Sequence, residues 1–458
     1  MRAMRSRSAL VSIVLLGLGC GDDGAGARVD APAAASDGAA SDGAAALGDG
    51  WHHLMVPLAD GTLDPLWIYA ASPAGPGPYP VVVYGHGQGG SNVLPACVTT
   101  SAPPTHVDVA PSVAVADALA TAGYLGIAVF YRYFDEPPVL GRVTQRDHYL
   151  RDAAAMLSAA RWGRDQHGRG SSRVAFTGNS MGSFPATWAV APAPPLAALQ
   201  AGLDVRAAIP SGMLGNHLAN SLPQAARVDD PTLTAAQRVT LITLTINGLV
   251  GFRASEAGTG VIDASNLPAL AVDLTPLGQA LYAALFLDPP PAIAACAGLV
   301  GQPASCSGSC AGAVISDRIT QGAGGQVRGA DWFTAETLQA FTYWDPPAAI
   351  DPGPTAPSTL LRWMRMMSPA YALPGPLLTA NVLPLVSTSD HTLPAQTQGS
   401  PAPGQLYLDH LRAVGAIIPT PPLLVTAAGC DHDDYFLPAR PECGWDLVSA
   451  HLAAALAP

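Results

Sequence analysis

Hydrophobic positions along this chain gather into short unbroken runs, each ending in glycine or small polar residues, with longer mixed segments between them. Val81-Val82-Val83, Val174-Ala175-Phe176, Val205 to Pro210, Asn381 to Asp390 and Pro422 to Ala428 are runs of this kind. Their length and β-branched content predict buried strands. Ser183 to Val190, Gln405 to Val414 and Trp445 to Leu456 carry apolar residues at helical spacing and predict helices.

Chemistry-bearing residues sit where four of these strands end. The first runs into His86-Gly87-Gln88-Gly89-Gly90, where backbone N–H groups can point into a site with no Cβ in the way. The second runs into Gly178-Asn179-Ser180-Met181-Gly182, a Gly-x-Ser-x-Gly turn that pushes a serine hydroxyl out of the sheet. A third ends at Asp390, followed by His391-Thr392-Leu393-Pro394, and a fourth delivers Gly429-Cys430-Asp431-His432. In acyl transfer, the oxyanion donors would be the N–H of Met181 and that of Gln88, with Gly87 as the alternative to Gln88.

These elements together resemble the α/β-hydrolase family. The resemblance rests on the strand-then-His-Gly loop, the Gly-Asn-Ser-Met-Gly elbow, the strand-Asp-x-x-x-Pro segment and the strand-Gly-x-x-His close, over 51–215 and 381–458. It implies an open, mostly parallel sheet with helices on both faces, a Ser180–Asp390–His432 triad and no cofactor. His432 would be the general base and Asp390 the acid that orients it. The implied activity is hydrolysis of carboxylic esters, from small molecules to lipids. A serine peptidase or polyester depolymerase using the same triad, or an inactive binding protein on the same fold, stays open. Asp204 is a second candidate acid, if the acid sits one strand earlier. His391 and His410 are rival bases. Asp431, Asp433 and Asp434 lie too close to His432 to partner it easily and read as a solvated acidic loop, with calcium as the alternative. His86 reads as a brace for the oxyanion loop, and His52 and His53 as an exposed pair.

Composition narrows this picture. The chain has 458 residues, 49% hydrophobic and 12% charged, enough for a large core. Its net charge of −12 argues against a nucleic-acid partner. Arg2, Arg5 and Arg7 precede an apolar run, Ala9 to Leu18, too short to span a bilayer. That run leads to Leu16-Gly17-Leu18-Gly19-Cys20, which resembles a bacterial lipoprotein signal with Cys20 as the lipidated first mature residue. Gly17 stands where that motif usually has leucine, so cleavage without lipidation remains the alternative. Residues 1–20 therefore predict export, and a cell-envelope lipoprotein anchored to a membrane through Cys20. Residues 21–50 are rich in Ala, Gly, Asp and Ser and predict a flexible tether.

The expected hydrolase core covers 51–216 and 377–458. Between them, 217–376 departs from the minimal pattern and predicts a helical cap over the substrate pocket. Its apolar stretches, Val239 to Phe252 and Leu267 to Leu287, are broken by polar residues and proline. Trp332, Phe333, Phe341, Tyr343 and Trp344 supply an aromatic cluster, read mainly as core. Setting Cys20 aside leaves six cysteines, an even set that suggests disulfides in an exported chain. Cys430 and Cys443 flank the His432 loop and are expected to pair; Cys306 and Cys310 lack the second pair a zinc site needs, so no metal is expected.

Overall fold

The computed structural model describes residues 47–57, 63–87, 109–131, 146–212, 225–256, 262, 265–282, 328–343, 351–353, 355–356, 358–368, 380–387, 409, 411–413, 423–425, 429–430, 432 and 434–458. Cys20, most of the tether, Gln88, Asp390, His391, His410, Asp431, Asp433, Trp344, Cys306 and Cys310 lie outside the described residues.

Nine strands form one sheet: β1 Gly50–Pro57, β2 Leu63–Ala71, β3 Tyr79–Gly85, β4 Leu125–Phe130, β5 Gly170–Asn179, β6 Asp204–Ser211, β7 Asn381–Val382, β8 Leu385–Ser387 and β9 Leu423–Val425. Their spatial order is β1-β2-β4-β3-β5-β6-β8-β9, with β7 also beside β6. β1 and β2 pair antiparallel at one edge, β2 joins β4 antiparallel, and from β4 to β9 every pairing is parallel. The parallel strands are buried on both faces, so their apolar runs lack alternation. Every residue of β4 is buried, as are the last five of β3 and the last six of β5.

Helices α1 (Val109–Thr121), α2 (Arg146–Asp165) and α3 (Ser183–Ala189) make the crossovers β3 to β4, β4 to β5 and β5 to β6. β4 lies on one side of β3 and β5 on the other, so right-handed crossovers send α1 to one face and α2 to the opposite one. The final helix, Trp445–Ala455, packs beside β6.

Three expectations need adjustment. The single strand expected from Asn381 is broken into β7 and β8. Leu383 N–H donates to Ala208 O at 2.8 Å, but Pro384 has no N–H to continue the ladder. Order also begins before residue 51: β1 starts at Gly50, and Leu47 N–H already bonds Gln166 O at 3.1 Å. His52 and His53 are not an exposed pair, because neighbours on a strand face opposite ways. His53 is exposed beside Trp67, whereas His52 is half-buried against Trp162 and bonded to Gly48 O.

The helices described within 217–376 are Ala235–Glu256, Pro276–Tyr282, Gly329–Trp332, Ala335–Phe341 and Thr359–Met366, with a 3-10 segment at Leu267–Val272. Their core includes Ile242, Leu249, Phe252, Trp332, Phe333, Phe341 and Trp363. Arg253 and Asp273 form a buried two-pronged ion pair inside it, at 2.5 and 3.1 Å. Trp188 Nε1 in α3 donates to Met367 O at 3.1 Å, joining this helical region to the helix that follows Ser180. No helix among the described residues is long and apolar enough to cross a membrane.

Candidate active site

The crossovers after β3 and β5 leave toward opposite faces, and this opens a crevice at the C-terminal ends of the two strands. In open parallel sheets that switch point is where ligands bind. The loop entering it from β3 carries His86-Gly87, and the turn entering it from β5 carries Ser180.

Strand β5 ends at Asn179 in extended backbone (φ −99°, ψ 146°), and Ser180 then turns to φ +52°. A non-glycine residue in the left-handed region is strained, and a nucleophile elbow exposes its serine through such a turn. Residues Ser180–Gly182 make one tight turn before α3 begins. Gly182 is required by close approach: a Cβ there would meet Gly85 O at 2.3 Å and His86 O at 2.7 Å. At Gly178 a Cβ would meet Gly182 O at 2.1 Å. Ser180 is half-buried and Met181, directly behind it, is buried.

Gly87 lies against the serine. A Cβ added there would sit 3.1 Å from Ser180 Cβ and 3.8 Å from its Oγ. His86 is buried, with Nδ1 donating to Gly87 O at 2.5 Å and its ring packed against Phe130 and Tyr131. Because a carbonyl can only accept, that bond fixes the proton on Nδ1. The ring thus braces Gly87, the one glycine of the glycine-rich stretch that is described.

His432 reaches the same crevice from the other side. Beyond β9, Cys430 and Cys443 are joined by the expected disulfide, with Cα atoms 5.2 Å apart. Ser387 Oγ, at the end of β8, donates to Cys430 O at 2.8 Å. Arg440 pairs with Asp434 at 2.7 Å, so that aspartate belongs to an ion pair rather than to a purely solvated loop. His432 is buried, its ring edge-on to Tyr435. Its carbonyl accepts from Asn179 Nδ2 at 3.2 Å, across 253 residues of sequence. Gly212, just past β6 at φ +67°, packs under the ring: a Cβ there would lie 2.9 Å from His432 Cε1 and 3.0 Å from Asn179 Oδ1.

The alternative acid Asp204 is excluded by topology. It pairs in register with Arg173 at the opening of β5, whereas Ser211 pairs with Asn179 at the serine end. Asp204 is also engaged with Arg206 at 2.6 Å. It therefore stands at the opposite end of the strands, several residues away from Ser180.

The ends of β3, β5, β6 and the segment beyond β9 thus bring together Gly87, Ser180, Met181, Gly212 and His432. Among the described residues no group of three or more His, Cys, Asp or Glu could hold a metal ion. The sequence reading passed over Asn179, Ser211 and Gly212. Asn179 lies inside the serine motif, but nothing local signals a partner so distant in the chain.

No family model and no curated protein sequence matches the chain. Solved structures do. A Legionella pneumophila protein assigned provisionally as a hydrolase aligns at TM-score 0.55 and 13% identity, over 87% of this chain and 88% of its own. The rice cell wall degrading esterase LipA of Xanthomonas oryzae aligns, in a point mutant, at TM-score 0.54 and 15% identity over 89% of both chains. A ligand-bound form of the same esterase aligns at TM-score 0.52 and 13% identity. At such identities the likeness concerns architecture, and it agrees with the strand order and crossovers described above: the chain has the α/β-hydrolase fold.

Proposed function

We propose that the chain is a serine hydrolase of carboxylic esters, with Ser180 as nucleophile, His432 as general base and Asp390 as the acid that orients it. The observation that carries this reading is Ser180 at φ +52° on a strand-to-helix elbow, with the His432 segment bonded to the residue just before it. The ester specificity of one structural neighbour, a cell wall degrading esterase, is consistent with this substrate class.

In this reading Ser180 Oγ attacks the acyl carbonyl while the His432 imidazole takes its proton. Negative charge grows on the carbonyl oxygen and is met by the N–H of Met181 and that of Gln88 or Gly87. Losing one such donor raises the barrier by about 3–4 kcal/mol. The imidazolium passes its proton to the departing alkoxide, leaving an acyl group on Ser180. Water, deprotonated by the same imidazole, then releases the acid and restores the serine. Asp390 keeps the ring in the productive tautomer throughout.

The N-terminal residues complete the proposal. A leader cleaved before Cys20 would export the chain, and lipid on Cys20 would anchor it to the cell envelope. The Ala/Gly/Asp/Ser tether would then let the catalytic domain reach substrate near the membrane.

The test is intact-mass analysis after a fluorophosphonate probe, on protein lacking residues 1–20 and on its Ser180→Ala variant. One adduct on the parent and none on the variant is expected. A folded parent that takes no adduct overturns the reading in favour of an inactive binding protein.

A further inference from the structure

We infer that Asn179 is a positioning residue that sets the distance between nucleophile and base; this rests on the assignment of those roles to Ser180 and His432. Asn179 is the last residue of β5 and is buried. Its backbone leads directly into the left-handed turn at Ser180, so any shift of Asn179 moves the serine. Its side chain reaches the opposite way and holds the His432 carbonyl at 3.2 Å. One residue therefore joins the two segments, by its backbone to Ser180 and by its side chain to the His432 carbonyl.

That link adds to the other described attachments of the His432 segment. β9 is three residues long, and the Cys430–Cys443 disulfide and the Ser387–Cys430 bond tie the segment to β8 and the C-terminal helix. The strand that carries the nucleophile is reached through Asn179. The contact continues to the ring itself, since a Cβ on Gly212 would touch His432 Cε1 at 2.9 Å, its Nδ1 at 3.2 Å and Asn179 Oδ1 at 3.0 Å. Asn179, Gly212 and the imidazole thus form one packed layer.

Amide chemistry fits the role. A carbonyl can only accept, so Nδ2 must face His432 and Oδ1 must turn the other way. There Ser211 Oγ lies 3.5 Å from Oδ1 and 3.1 Å from Gly178 O. An aspartate of the same shape would instead set a carboxylate against the carbonyl. It would also place negative charge beside the ring, which favours the imidazolium over the neutral base.

The experiment measures kcat for nitrophenyl ester hydrolysis, divided by the number of sites that titrate with the fluorophosphonate, across pH, for wild type, Asn179→Asp and Asn179→Ala. Misfolded protein drops out of such a ratio, so a role confined to stability would leave it unchanged. We expect kcat per titrated site to fall by about 10–100-fold in both variants, the scale of a mispositioned reacting group, with KM little altered. In Asn179→Asp the acid limb of the kcat profile also moves to higher pH. If both variants stay within about two-fold of wild type per site with an unmoved limb, Asn179 has no positioning role. Should neither variant fold, Ser211→Ala removes only the hydroxyl beside Oδ1: a smaller loss per site supports the inference, and a wild-type value overturns it. A wild type that does not label at Ser180 would overturn the hydrolase assignment first, a result separable from labelled but fully active Asn179 variants.

Discussion

Ser180 carries a conflict that can be measured. Its φ of +52° suits glycine, yet the proposed chemistry needs a side chain there. Ser180→Ala and Ser180→Gly both delete the hydroxyl and should both abolish the fluorophosphonate adduct. They differ in backbone freedom, because alanine keeps the Cβ that crowds a left-handed residue while glycine removes it. Ser180→Gly should therefore be more stable than Ser180→Ala by about 1 kcal/mol, the usual left-handed penalty less glycine's larger unfolded-state entropy. Urea unfolding of the two proteins checks this, and equal midpoints would mean that the elbow holds no strain. Gly-x-Ser-x-Gly announced this residue in the sequence because the turn's steric demands are local. Asn179, one position earlier, was silent because its role depends on His432 and Gly212, which only the folded sheet brings near.

At the scale of elements, a disulfide braces the His432 segment and a buried ion pair lies inside the helical region between β6 and β7. The Cys430–Cys443 bridge, at a sequence separation of 13, closes a short loop around the histidine. In the chain-entropy model a loop of this size is worth about 3 kcal/mol, so Cys430→Ser with Cys443→Ser should lower the unfolding free energy by about that amount. Denaturant titration would show it, and an unchanged midpoint would leave the bridge without a stabilising role. That pairing was legible in the sequence because both cysteines flank one short segment of an exported-looking chain. The Arg253–Asp273 pair was not, since nothing in the sequence joins a helix to a turn twenty residues on. Burial raises the Asp273 carboxyl above the usual carboxylate range, against the pull of the Arg253 guanidinium. Asp273→Ala would strand a buried guanidinium and should destabilise by about 3–5 kcal/mol, whereas Arg253→Met with Asp273→Leu together should recover most of the loss. A calorimetric comparison decides it: if the double variant is no better than the single one, packing rather than charge governs this site.

Across the whole molecule, the sheet was readable because buried parallel strands write themselves as mainly apolar runs ending in glycine or small polar residues. The break at Pro384 and the docking of Leu47–Gly50 were not, because each depends on which partner strand or helix lies alongside. That docked edge has a consequence for stability. His167 Nε2 faces Asp49 at 3.0 Å and stacks edge-on to Trp162, which also packs on His52. Burial lowers the pKa of His52, with its Gly48 hydrogen bond and Asp49 opposing and His167 adding to the shift. His167 is lowered by burial too, against its bond to Asp49. His451, in the last helix, is lowered by burial against a backbone bond to Asn381. Each imidazole therefore binds a proton less readily folded than unfolded. Below the unfolded value of about 6.5 the unfolded chain takes up more protons, so stability is complete above that pH and is lost as pH falls toward the lowered values. Asp165 and Asp230 are held below the usual carboxylate range, Asp230 at about 2, and stay ionised through this window. Asp273 works in the opposite sense, its raised pKa favouring the fold as pH falls through the carboxylate range, below the window in which the imidazoles titrate. The melting temperature should thus decline between pH 7 and pH 5, and His52→Gln with His167→Gln should flatten that slope whatever it does to the absolute value. A variant slope as steep as that of the wild type would show that the docked edge does not set the acid sensitivity of the fold.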